Sequence, residues 1–200
     1  MSKMEDIQNF WKIIQENIKE LTDEESEELE IYEKILEALD KIHPEIFYEF
    51  MLSDDDILTL VLSAGGNKEL FPLIEEMVSK APKLSELEVQ ALMPNLGFEE
   101  TIFLQSSDMN VADVYFLPNR KTENQQISLD IYVPKINYSD SGDEKEELHF
   151  ALVDSIVEGI GERFYAEKIS SIHVFSMDKT PKDNKLIPLL ELEEYLNSLK

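Results

Sequence analysis

One stretch of the sequence decides the fold class: Leu60-Val61-Leu62-Ser63-Ala64-Gly65-Gly66-Asn67-Lys68-Glu69-Leu70-Phe71-Pro72-Leu73-Ile74. The apolar run that begins at Ile57 and ends at Ala64 has the length and composition of a strand. Two glycines break this run, and apolar residues then recur at helical spacing until Ala81-Pro82. Asn67 is placed to cap the helix. A strand, a tight turn and a helix thus follow one another, which indicates a fold that combines sheet and helix.

Two amphipathic helices are predicted before this stretch. The first covers residues 4–20, and the second ends at His43-Pro44 because proline cannot continue a helix. Each opens with a capping-box pattern, Ser2 with Glu5 and Thr22 with Glu25. The predicted buried side of the second helix consists of Leu29, Tyr32, Ile35, Leu36, Leu39 and Ile42. Together the helices form an N-terminal helical hairpin over residues 1–43.

The remaining segments alternate between strand and helix patterns. Apolar, β-branched and aromatic runs predict strands at residues 46–52, 57–64, 89–93, 111–117, 126–133 and 169–175. The polar turns 53–56 and 119–124 predict that the first two of these strands form one β-hairpin and that the fourth and fifth form another. Helices are predicted from Phe150 to about Ile160 and after Pro188, and the polar segment 137–147 is predicted to be a mobile loop. This order predicts an α+β fold with an antiparallel or mixed sheet and helices packed on one face. We expect a single domain, 1–200, in which residues 44–200 supply the sheet and its covering helices.

Charge excludes several classes of partner. Eighteen lysines and arginines stand against 43 acidic residues, a net charge of −25. A chain of this sign repels the phosphates of nucleic acids and the anionic surface of membranes, so neither is an expected partner. The chain has no cysteine, and its first twenty residues lack the basic start and apolar run of a signal peptide. We therefore expect a cytoplasmic protein.

The turn Gly65-Gly66-Asn67 is a candidate ligand site. Small residues between a strand and a helix N-terminus allow backbone N–H groups to surround an anion. The sequence lacks both the dinucleotide fingerprint and the phosphate-loop ending Gly-Lys-Ser/Thr. The alternative is that the glycines only permit a tight turn.

Acidic clusters form a second candidate, a surface for a basic protein partner. Residues 1–50 hold fifteen acids and five lysines, so the negative charge is concentrated there. The clusters are Glu24, Glu25, Glu27 and Glu28, and Asp54, Asp55 and Asp56. They could also hold a divalent cation or serve only as solvated surface.

No catalytic residue, cofactor or metal site is predicted. His43, His149 and His173 each lack a second histidine at zinc-binding spacing, and no serine-nucleophile elbow occurs. The segment from Asn137 resembles a calcium loop, but its twelfth residue is Leu148 instead of a carboxylate. His43 precedes a helix-ending proline, a position that indicates a structural role at the helix end.

The stretch from Leu60 to Ile74, with Ala81-Pro82 after it, resembles an uncharacterised bacterial protein family. An aromatic pair like Phe10-Trp11, His43-Pro44 before an aromatic strand, and Gly161-Glu162 before the final strand support the resemblance. It implies a bacterial source and a common fold over most of the chain. It implies no activity and no catalytic residues.

Two functional hypotheses follow. The first is a non-enzymatic binding or regulatory protein whose acidic surface contacts a basic partner, as an immunity or antitoxin-like protein does. The second is a small enzyme or ligand-binding domain with a pocket at Gly65-Gly66-Asn67, with His43 or Asp113 nearby. Homodimerisation through an exposed strand or the N-terminal helices is a third alternative.

Overall fold

The computed structural model describes residues 3–22, 29–52, 57–104, 108–122, 125–134, 142–181 and 185–199. The chain divides into two compact units, Met1–Met93 (unit 1) and Pro94–Lys200 (unit 2). The sequence predicts a single domain over residues 1–200. That the two units unfold together as one domain stays a prediction.

Unit 1 begins with helices α1 (Lys3–Glu16), α2 (Ile18–Leu21) and α3 (Leu29–Ile42). The continuous helix expected over residues 4–20 is interrupted at Asn17. The side chain of this residue donates to the carbonyl of Ile13 at 2.7 Å, and its backbone N–H is shared between two carbonyls. An asparagine that bonds its own backbone in this way competes with helix continuation. Helices α1 and α3 pack against each other, as expected for the helical hairpin.

The sheet of unit 1 has three strands in the order β1-β2-β3. Strands β1 (Phe47–Leu52) and β2 (Leu58–Ser63) pair antiparallel, which confirms the predicted hairpin. Helix α4 (Phe71–Ser79) then crosses to β3 (Leu87–Ala91), which pairs parallel with β2. The sheet is therefore mixed, because a helical crossover brings the next strand back in the same direction.

Helices and sheet of unit 1 share one core. Ile7, Phe10 and Ile14 of α1 are fully or almost fully buried, as are Ile35 and Leu39 of α3. The indole of Trp11 reaches α4 and donates to the carbonyl of Met77. The predicted helical hairpin is thus part of the same compact unit as the first sheet.

Unit 2 contains a four-stranded mixed sheet in the order β8-β7-β6-β9. In chain order its elements are β4 (Thr101–Ile102), β5 (Met109–Asn110), β6 (Tyr115–Lys121), β7 (Ile127–Val133), α5 (Gly142–Ile160), α6 (Glu162–Lys168), β8 (Ile169–Ser176), β9 (Ile187–Pro188) and α7 (Leu192–Ser198). Strands β6 and β7 form the second predicted hairpin, and β8 pairs parallel with β7 after the α5–α6 crossover. Short β4 and β5 pair separately.

The core of unit 2 lies on one face of this sheet. Alternate residues of β7 and residues at i, i+4 spacing of α5 are buried together, namely Ile127, Leu129, Ile131, Val133, Leu148, Leu152, Ile156 and Ile160. Helix α7 adds Leu192 and Leu196 to the same core. The α+β fold with helices on one face of a mixed sheet is confirmed.

Two predicted boundaries in unit 2 are wrong. Residues 142–147, expected in a mobile loop, belong to α5; the rest of that segment, with the calcium-like motif, lies outside the described residues. Residues Val111–Asp113, expected in a strand, form a 3₁₀ turn because the Asn110 side chain accepts a hydrogen bond from Ala112 N–H at 2.8 Å.

Helices in the described part of the chain all lack the combination of length and apolar character that a bilayer span requires.

Candidate functional site

The Gly65-Gly66-Asn67 turn lies between β2 and α4, as the sequence predicts. Gly65 and Gly66 have φ angles of +56° and +81°, a backbone conformation that favours glycine. Gly65 N–H donates to the Ser63 hydroxyl at 3.0 Å, and Asn67 N–H donates to the Ala64 carbonyl at 3.0 Å. Two of the N–H groups that an anion would need are therefore engaged within the turn.

Asn67 holds two parts of unit 1 together. Its side-chain oxygen accepts from Glu69 N–H at 3.1 Å, and its amide nitrogen donates to the Glu45 carboxylate at 3.1 Å. Asn67 does not cap α4 itself: the residue before the helix is Leu70, so the cap prediction is wrong. Asn67 instead closes an Asx turn that precedes the helix.

His43 lies near the same connection. Its backbone N–H donates to the Leu39 carbonyl at 2.8 Å, as in the preceding turns of the helix. Its ring nitrogen Nδ1 accepts a hydrogen bond from the backbone N–H of Glu45 at 3.2 Å. Through Glu45, the end of α3 is joined to the glycine turn. These contacts give His43 and the glycines structural roles. A ligand at Gly65, Gly66 and Asn67 stays a prediction. Asp113, the other residue named for this predicted pocket, is an exposed residue of unit 2.

The seven predicted acidic residues of the partner surface all lie outside the described residues: Glu24, Glu25, Glu27, Glu28, Asp54, Asp55 and Asp56. Both clusters border elements that are described, the start of α3 and the β1–β2 hairpin. The exposed surface of α3 and of the β1–β2 hairpin is therefore the candidate partner surface.

Helix α3 carries acidic and apolar side chains on one exposed side, which we call the α3 face: Tyr32, Glu33, Leu36, Glu37 and Asp40. Tyr32 is 40% exposed and Leu36 is 52% exposed, although the helical pattern assigns both to the buried side. The buried side is narrower than predicted, and it consists of Ile31, Ile35, Ala38, Leu39 and Ile42. Together, Tyr32 and Leu36 give the α3 face an exposed apolar component beside its three acids.

The charges of the α3 face are not neutralised locally. Lys34 bonds Glu30 at 2.9 Å, and this contact holds the pKa of the Glu30 carboxyl below its ordinary value through the hydrogen bond and the lysine's charge. Glu33, Glu37 and Asp40 have no lysine or arginine nitrogen within 4.0 Å in the described part of the chain. They remain available for a cationic partner.

Strand β1 extends the α3 face with aromatic side chains. Tyr48 donates to the carbonyl of Tyr32 at 3.3 Å, and the Phe50 ring lies 6.3 Å from the Tyr32 ring. Desolvation raises the pKa of the Tyr48 hydroxyl, with the neighbouring Tyr32 contributing. On the same side of the strand, Leu52 is 56% exposed. Strand β1 is an edge of its three-stranded sheet, and an edge strand is where a further strand can pair.

A second polar cluster joins β7 and β8 and was not found from the sequence. Ser128, Asp130 and His173 lie together, but Ser128 Oγ and Asp130 Oδ1 both approach the same histidine nitrogen, Nδ1, at 3.4 Å. A serine–histidine–aspartate relay needs the serine on one ring nitrogen and the carboxylate on the other. Asn119 and Ser171 complete the cluster through bonds to Asp130 and Ser128. The geometry is that of a cross-strand polar network.

Across the described ranges, no group of three or more histidine, aspartate or glutamate side chains is placed to hold a metal ion. His149 lies on α5 beside Phe150, and His173 on β8.

Comparison with known proteins adds no relative: no protein-family model, no curated protein and no solved structure matches this chain. The resemblance of residues 60–82 to a bacterial family accordingly stays a prediction.

Proposed function

We propose that this protein is a non-enzymatic binding or regulatory protein that contacts a basic protein through its acidic surface. The single observation that carries the proposal is the α3 face, where three acids flank an exposed leucine and tyrosine and have no cationic partner among the described residues. Such a surface combines an apolar contact with charges that select a basic partner and accelerate its approach.

The partner's chemistry follows from this combination. Its contact segment carries lysines or arginines opposite Glu33, Glu37 and Asp40, and an apolar side chain opposite Leu36. The edge strand β1 and Leu52 widen the contact area. The remaining charge of the chain, −25 in all, strengthens the long-range attraction without specifying the contact.

The first experiment uses a synthetic amphipathic lysine–leucine peptide as the probe and titration calorimetry of the full chain. The peptide should bind at low salt and lose most of its affinity at high salt, because exposed charge pairs are screened. The triple variant Glu33→Gln/Glu37→Gln/Asp40→Asn should weaken binding by about tenfold, which corresponds to about 1.4 kcal/mol. Leu36→Ser should weaken binding at both salt concentrations.

A matched control variant distinguishes a specific effect of the α3 face on binding from an effect of the net charge. The triple variant Glu167→Gln/Glu191→Gln/Glu194→Gln changes the net charge equally at exposed positions of unit 2. Equal losses in both triple variants would show that only the overall charge attracts the peptide, and the proposal would fail. The same variants then serve in affinity capture from the native cell lysate, where the basic partner should be retained by the control and lost by the α3 variant.

The proposal includes a cytoplasmic location in a bacterial cell, which the cysteine-free composition supports. Cell fractionation tests this part. Homodimerisation through β1 is a different use of the same edge; light scattering that gives twice the chain mass of 23.2 kDa would favour it over a basic partner.

A further inference from the structure

Unit 2 contains a cavity that the proposed partner surface does not use. Its volume is about 300 Å³, and eight described residues line it: Val133, Lys145, Leu148, His149, Val174, Phe175, Ser176 and Lys179. None of these eight is acidic. In a chain with 43 acids and eighteen cations, two lysines and a histidine on one cavity are an unusual concentration of basic groups.

The fold explains why these side chains converge. Val133 and Ser176 end the parallel strands β7 and β8 and are paired in register. Lys145, Leu148 and His149 come from the first turns of α5, the helix that follows β7, and Lys179 belongs to the 3₁₀ turn directly after β8. Crevices at the carboxyl ends of parallel strands are the usual place for ligands in sheets with helical crossovers.

The cavity divides into an apolar part and a polar part. Val133, Leu148 and Val174 supply aliphatic surface, and the ring of Phe175 stacks on Tyr132 at a centroid distance of 5.6 Å. Aliphatic walls and one fixed aromatic ring suit the apolar body of a small molecule. At this volume the cavity fits a compound of one ring or a short chain, and excludes a folded protein segment.

Three polar groups of the cavity have no ion-pair or hydrogen-bond partner among the residues that the structure describes. Neither Lys145 nor Lys179 has a carboxylate oxygen within 4.0 Å in the described part of the chain. Ser176 Oγ is buried and finds no hydrogen-bond partner among the described residues. Leaving a buried hydroxyl unsatisfied costs about 1–3 kcal/mol, so a polar atom of a water, an ion or a ligand beside Ser176 Oγ is favourable.

From this geometry we infer that the cavity binds a small organic anion, with its apolar body against Phe175 and its carboxylate or phosphate group between Lys145 and Lys179. Ser176 donates a hydrogen bond to the anionic group, and the N-terminal end of α5 adds a favourable dipole. The net charge of −25 opposes the approach of an anion, so Lys145 and Lys179 have to offset this repulsion locally.

The test uses phenyl phosphate and benzoate as probes, benzyl alcohol as their neutral analogue, and the full chain. Amide shifts in NMR titrations should locate both anions at Val133, at Val174 to Ser176 and at Lys145 to His149. The variant Lys145→Gln/Lys179→Gln should weaken binding by about tenfold or more, the loss expected for charge-assisted hydrogen bonds. Lys41→Gln/Lys83→Gln, at exposed positions of unit 1, makes the same charge change and should leave binding unchanged.

The outcomes separate clearly. Tighter binding of phenyl phosphate assigns a phosphate ligand, tighter binding of benzoate assigns a carboxylate, and either supports the inference. Equal binding of benzyl alcohol, shifts confined to other residues, equal losses in both lysine variants, or no binding of either anion overturns it. Circular dichroism of each variant verifies that the fold is retained. None of these results depends on the α3 face, so the two proposals stand or fall separately.

Discussion

The indole Nε1–H of Trp11 donates a hydrogen bond of 2.9 Å to the backbone carbonyl oxygen of Met77, near the end of α4. This bond joins α1 to the helix that follows the glycine turn. The side chain of Trp11 is 4% exposed, so the bond lies in the core of unit 1. We expect Trp11→Phe to lower the free energy of unfolding by about 1–3 kcal/mol, through the lost bond and the smaller ring.

Urea unfolding followed by circular dichroism measures this loss. Met77 O keeps a second hydrogen bond from Lys80 N–H at 3.0 Å, which limits the cost of removing the indole donor. Phe103→Leu is the control, because Phe103 is an exposed aromatic residue. A Trp11→Phe variant as stable as the Phe103→Leu variant would show that the bond contributes nothing.

The same tryptophan tests whether the chain is one domain. It is the only tryptophan and belongs to unit 1, so its fluorescence reports the unfolding of that unit, whereas circular dichroism reports both units. A single cooperative domain requires the two urea transitions to coincide. This is the expected result for the predicted domain 1–200. Separate midpoints would show that Met1–Met93 and Pro94–Lys200 unfold independently.

A substitution at Gly65 should be destabilising for two reasons that can be separated. Its φ of +56° strains any other residue, and an added Cβ would lie 3.0 Å from a ring carbon of Phe47. Gly97 has a φ of +80° but nothing within 4 Å of the added atom, so Gly97→Ala measures the backbone strain alone, about 1–2 kcal/mol.

We expect Gly65→Ala to cost more than Gly97→Ala in thermal unfolding. Adding Phe47→Ala to Gly65→Ala should recover the difference, since it removes the ring that the new Cβ meets. If Gly65→Ala lowered the stability less than Gly97→Ala does, the close approach of Phe47 to residue 65 would not contribute to the loss.

Local patterns were sufficient to predict the elements whose signals lie within a few neighbouring residues. The hairpin of β1 and β2 follows from two apolar runs around an acidic turn, and α4 from its helical spacing and terminal proline. The start of α5 was missed because residues 142–147 are polar. Among the described side chains of this helix, full burial begins at Leu148, and Lys145 and Glu146 before it are exposed.

The candidate sites depend on non-local pairings that leave no local signal. The parallel contact of β7 with β8 brings Lys145 and Lys179 to one cavity, although 34 positions separate them in the sequence. The α3 face was hidden for a different reason. Tyr32 and Leu36 fit the apolar period of the helix, and only their exposure in the folded chain shows that the core does not extend to them.

Asp154 provides a pH-dependent prediction. The residue lies on the exposed side of α5, but desolvation by neighbouring protein atoms raises the pKa of its carboxyl above the ordinary value of 3.8. A carboxyl with a raised pKa in the folded state destabilises the fold when it is ionised. This destabilisation is complete above the folded-state pKa and disappears as the pH falls below the unfolded-state value.

Asp154→Asn should therefore stabilise the protein at about pH 7, and this gain should shrink toward zero as the pH is lowered below about 4. Urea midpoints of the variant and the natural protein across this range measure the effect. Asp178→Asn makes the same charge change in the exposed 3₁₀ turn after β8 and controls for the reduced net charge. A gain for Asp154→Asn that persists unchanged at low pH would contradict the explanation, because a protonated carboxyl and an amide should then differ little in their cost of desolvation.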